Sequence, residues 1–137
     1  MKTLITAAAF AITAGGAFAA SHAMAPMVEG SDQDVSGGTV TASKIVAPEN
    51  GWLVVHRTGE DMKPGPVVGY APIKMGENMD VAAILTEEVA SGDMLMLMVH
   101  SEAGGMKTGI FEYTLGAKED GPIKPDGELV MTVITAE

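Results

Sequence analysis

Gly51-Trp52-Leu53-Val54-Val55-His56-Arg57 and Met94-Leu95-Met96-Leu97-Met98-Val99-His100 are the two stretches whose reading decides the fold. Each is a short apolar run bounded by turn residues, which predicts a buried strand. Outward from them the same rhythm repeats. It predicts strands at Thr39–Val46, Gly51–Arg57, Val67–Ile73, Met79–Leu85, Asp93–Ser101, Ile110–Leu115 and Glu128–Thr135. Between them lie Pro48-Glu49-Asn50-Gly51, Lys63-Pro64-Gly65-Pro66, Gly76-Glu77-Asn78, Ser91-Gly92-Asp93 and Pro125-Asp126-Gly127, all carrying turn chemistry. Seven short antiparallel strands predict an all-β fold, a single immunoglobulin-like β-sandwich. Val81, Ile84, Leu85, Glu88 and Val89 also fit one helical stripe. The strand is preferred there, because Val81, Ala83 and Leu85 fit a period of two and a lone helix would be an oddity among strands.

At the amino terminus, Lys2 precedes an apolar run from Leu4 to Ala14, then small residues ending in Ala17-Phe18-Ala19. This is the pattern of a cleavable signal peptide over residues 1–19, cut after Ala19, with the product periplasmic or secreted. The run is too short and too diluted by Thr6, Thr13, Gly15 and Gly16 for a stable membrane span, which needs roughly 20 apolar residues. Residues 20–38 are small and polar and read as a flexible leader. The sandwich domain is expected over 39–137, a length suited to one core.

Composition excludes several functions. There is no cysteine, so disulfides, thiolate metal sites and cysteine nucleophiles are out. The formal charge is −10, and removal of Lys2 makes it −11. Such a surface repels nucleic acid, which is bound through basic patches, and disfavours anionic headgroups.

Gly51 to Arg57, Lys63-Pro64-Gly65-Pro66-Val67-Val68-Gly69 and Gly76-Glu77-Asn78 resemble an uncharacterised extracytoplasmic domain family of secreted and surface proteins of halophilic archaea and bacteria. The resemblance continues through Met98-Val99-His100, Phe111-Glu112-Tyr113, Glu119-Asp120-Gly121-Pro122-Ile123 and Asp126-Gly127, and an Asp32-Gln33 pair precedes it. It covers about Asp32 to Thr135 and departs at Met62, Met75, Met79, Met94, Met96 and Met106. It implies a β-sandwich and supplies no catalytic residues.

Nothing reads as an active site. There is no G-x-S-x-G elbow. Ser101 follows His100 directly, and adjacent strand residues point to opposite faces. The acidic doublets Glu60-Asp61, Glu87-Glu88 and Glu119-Asp120 read as solvated turns.

Two strand-end histidines stand out. Trp52, Val54 and His56 share one face, as do Met94, Met96, Met98 and His100. The second and fifth strands of an immunoglobulin-like order lie in one sheet, which would make the histidines neighbours. The plainer reading has each hydrogen-bonded to backbone or carboxylate, with methionine filling an irregular core. The sharper one is copper, since thioether and imidazole together suit Cu(I), and ten of the eleven methionines lie outside the signal. Cleavage after Ala19 would also expose Ala20-Ser21-His22, an amine and imidazole spaced to enclose Cu(II) or Ni(II) in a square plane, with Met24 and Met27 just beyond. The candidate metal ligands are therefore His22, Met24, Met27, His56, Met98 and His100. The leading expectation is a non-enzymatic exported module that binds a protein or small ligand, with no cofactor. A periplasmic copper-binding accessory protein is the alternative and a hydrolase the third.

Overall fold

The computed structural model describes residues 23–137. Seven antiparallel strands form it: β1 Met27–Glu29, β2 Thr39–Ala47, β3 Gly51–Thr58, β4 Val67–Ile73, β5 Gly76–Leu85, β6 Met94–Ser101 and β7 Met131–Thr135. Their hydrogen-bonded order is β1-β2-β5-β4-β3-β6-β7. Lettered A to G along the chain, this is A-B-E-D followed by C-F-G, the two halves of an immunoglobulin-like sandwich. The halves are joined through β4, which pairs with β3 along its length and with β5 only at Gly69↔Leu85 and Tyr70↔Ile84. The single sheet curls towards a barrel, and a bridge between Gln33 and Ala136 links its two ends.

Strand positions follow the expected ones for β2, β3, β4, β5, β6 and β7, and Val81 to Leu85 is strand, with the chain leaving the sheet at Thr86. Two segments differ. Part of the segment expected as leader is built into the fold: Met27–Glu29 pairs with Lys44–Val46, Gln33 bridges Ala136, and Val28 and Val35 are buried. Ile110–Leu115, expected as the sixth strand, is an irregular segment. Its backbone is claimed by side chains instead of a strand partner: Glu112 N–H donates to the Asp120 carboxylate at 2.8 Å.

The main core holds Val40, Ile45, Leu53, Val55, Val68, Leu95, Leu97, Val99 and Ile134. Burial of each such side chain contributes about 1.5–3 kcal/mol. The opposite faces of β3 and β6 are sealed as well: Trp52, Val54, His56, Met96, Met98 and His100 are all buried. Burial on both faces explains why these two strands read as unbroken apolar runs instead of alternating with polar residues. Gly51 lets β3 start flush against β6, where a Cβ would collide with the His100 carbonyl oxygen.

Candidate functional site

The second buried face of β3 and β6 is closed by the segment 102–124, which lays Phe111 and Tyr113 over it. In the register, Trp52 is opposite His100, Val54 opposite Met98 and His56 opposite Met96. Opposed residues of an antiparallel pair project to the same side. His56 and His100 therefore stand diagonally, with Val54 and Met98 between them on the strands. Their rings meet above that row, Nε2 to Nε2 at 3.3 Å, centroids 5.4 Å apart. Both residues are sealed from solvent, at 0% and 1% exposure.

The far side of each ring is held by backbone. His56 Nδ1 is 2.7 Å from the Gly65 carbonyl oxygen, and His100 Nδ1 is 2.6 Å from that of Asp120. A carbonyl oxygen only accepts, so each Nδ1 must carry the hydrogen. Burial lowers the His56 pKa, against the opposing pull of the Gly65 carbonyl. Burial likewise pushes His100 down to about 4, with the Asp120 carbonyl opposing and the charge of His56 adding to the fall. At neutral pH both rings are uncharged Nδ1–H tautomers, and their unprotonated Nε2 atoms face one another.

Each anchoring carbonyl is fixed in turn. Gly65 N–H donates to the Arg57 carbonyl at 2.8 Å, and a Cβ on Gly65 would sit 2.7 Å from that oxygen. Asp120 is fully buried with a left-handed φ of 45°. Its carboxylate accepts from Ala103 N–H at 3.1 Å as well as from Glu112, and its own N–H donates to the Ala103 carbonyl at 2.8 Å. One residue thus ties both arms of the cover together and to His100. Tyr113 stands edge-on to His100 at 4.6 Å and to His56 at 5.9 Å.

The aromatic packing runs on to the surface. Phe111 contacts Trp52 at 5.4 Å and stacks on Tyr70 at 4.3 Å. Tyr70, 43% exposed, lies opposite Ile84, 73% exposed. With Pro72, Ala82 and Thr86 they border a shallow hollow of about 320 Å³. A larger open groove of about 570 Å³ beside Trp52 is lined in part by Asn50, Lys74, Asn78 and Glu102.

A family model matches residues 26–137, under the description Domain of unknown function (DUF7282). The chain belongs to this family. No curated protein and no solved structure matches it. The DUF7282 match begins next to β1, in keeping with the strand pairing that brings Met27–Glu29 into the sheet.

Within the DUF7282 domain, His56 and His100 meet as the strand faces implied, and Met98 holds the register position between them on the same buried face. Met24 and Met27 line other hollows, Met24 beside Met75 and Met27 beside Met131, and His22 lies outside the described residues. Among the described residues no three His, Asp or Glu side chains converge in a metal-binding group. Ser101 Oγ donates to the Gly121 carbonyl at 3.3 Å. Tyr113, Phe111 and Asp120 are what sequence reasoning missed, and Asp120 corrects a reading in part: Glu119-Asp120 is a turn with Glu119 exposed, but Asp120 is buried. Its only signal was the following glycine and proline, Gly121-Pro122. No helix among the described residues is long and apolar enough to cross a membrane.

Proposed function

We propose that this chain is an exported, non-enzymatic interaction module that engages an apolar protein surface through the outer face of β4 and β5. The observation that carries the reading is the in-register pair Tyr70↔Ile84, two large apolar side chains exposed in mid-sheet. Pro72 and Ala82 extend the patch, and the Tyr70–Phe111 stack braces it. A rigid aromatic beside an aliphatic residue is the composition of an interface anchor. Solvation of such a cluster is unfavourable until a partner covers it. Export rests on the signal pattern of residues 1–19. The hydrolase alternative finds little support, because Ser101 Oγ is committed to a backbone carbonyl while the His100 ring turns to the other face of β6.

The test is site-specific photocrosslinking in cells that export the protein. A crosslinker at position 84 should give a discrete protein adduct that Tyr70→Ala removes, while one at the exposed position 128 gives none. The same adducts from both positions, or none from position 84, would refute the reading.

A further inference from the structure

The patch leaves unexplained why two imidazoles should be buried with their lone pairs opposed. With both hydrogens on Nδ1, no donor lies between two Nε2 acceptors 3.3 Å apart. Two acceptors at that separation repel, and burial removes the water that would relieve them. A cation between the rings turns the repulsion into two bonds. We propose that His56 Nε2 and His100 Nε2 form a buried site for a soft monovalent metal ion, Cu(I), with the Met98 thioether as third ligand. This site stands independently of the partner surface on β4 and β5.

The class of ion follows from the donors. Metal-binding imidazoles are neutral and characteristically donate their other N–H to a carbonyl or carboxylate, which fixes the tautomer and aims the ring. Gly65 and Asp120 do this for both rings. The protons already sit on Nδ1, so the ion displaces none. For Nε2–metal bonds of about 2.0–2.1 Å, the 3.3 Å separation sets a roughly 105–110° angle at the ion. That bend leaves a side open for a third ligand. Met98 holds the register position between the two histidines, one row from each, opposite Val54. It is buried and lies outside the main core cluster.

Zn(II) would need a fourth ligand or water and prefers anionic help. The buried carboxylate nearby, Asp120, has both oxygens occupied by backbone N–H groups. Two imidazoles and a thioether, all neutral and shielded by Tyr113, suit Cu(I).

The experiment uses full-length protein carrying His22→Ala, which removes the amino-terminal site and leaves two histidines. Long-range ¹H–¹⁵N correlation of the chelator-treated protein should show both rings protonated at Nδ1 only. One equivalent of Ag(I), a redox-inert stand-in for Cu(I), should shift both Nε2 signals. Anaerobic competition with a chromophoric Cu(I) chelator should then show one Cu(I) per chain. His100→Ala should weaken it by about 100-fold or more and Met98→Leu, which preserves volume, by about 10-fold. Ag(I) leaving both Nε2 signals unmoved, Zn(II) outcompeting Cu(I), or undiminished binding by folded His100→Ala overturns the site. Unchanged affinity in Met98→Leu overturns the thioether ligand. If His100→Ala fails to fold, the wild-type imidazole signals and Met98→Leu decide.

Discussion

Mild acid should destabilise the metal-free domain through His100, and the size of the effect follows from its burial. In the unfolded chain this imidazole takes a proton near pH 6.5, whereas in the fold it does so only at about 4. The native state therefore refuses a proton that the unfolded state accepts. Stability is full above about pH 6.5, falls as pH drops, and stops falling below about 4. At 1.36 kcal/mol per unit of pKa difference, the total loss is about 3 kcal/mol, of which about 2 kcal/mol is lost by pH 5. Against a domain stability of about 5–15 kcal/mol, that loss is readily measured. His56, also lowered by burial, adds in the same direction. The groups around the rings are Tyr113 and Asp120. Asp34 and Asp93 lie below the ordinary carboxylate value. What they contribute is present above pH 3.8 and lost below it, outside the histidine window. Urea denaturation of chelator-treated protein between pH 7.5 and 4.5 measures the loss, and His100→Gln should flatten it. Stability constant within about 0.5 kcal/mol from pH 7 to 5, or a His100 NMR titration near 6.5, would refute the reasoning.

Asp120→Ala leaves the Ala103 and Glu112 N–H groups without their acceptor, at about 1–3 kcal/mol for each that stays buried. Near-UV circular dichroism should register the loosening of Tyr113 and Phe111, while far-UV signal from the sheet persists. Leu97→Ala, in the main core, should cost about 2–5 kcal/mol in urea denaturation. Ile84→Lys, on the exposed patch, should change stability by no more than about 0.5 kcal/mol. A large loss there would show that Ile84 supports the fold instead of meeting a partner.

The central strands were legible because β3 and β6 are hydrophobic on both faces and their ends carry turn residues that only loops tolerate. β1 was not, because three residues among Gly, Ser and Asp give no periodicity, and only the pairing of Val28 with Ile45 makes them a strand. Ile110–Leu115 misled because Phe111 and Tyr113 alternate with polar residues as on a strand. Their period of two instead reflects two aromatic anchors in a cover that makes no ladder. The meeting of His56 and His100 was legible from strand faces once the second and fifth predicted strands were placed side by side. Their tautomers were not, since these depend on carbonyls of Gly65 and Asp120 that only the tertiary path of two loops brings to the rings.

The cover is bound to the sheet at few points, whereas β3 and β6 are paired strand to strand on both sides. Amide hydrogen exchange should find the 102–124 segment opening at a lower free energy than the β-sheet. Its openings would bare the imidazoles in a chain that is otherwise folded, so access to them is set by the rate of partial unfolding and not by any standing channel.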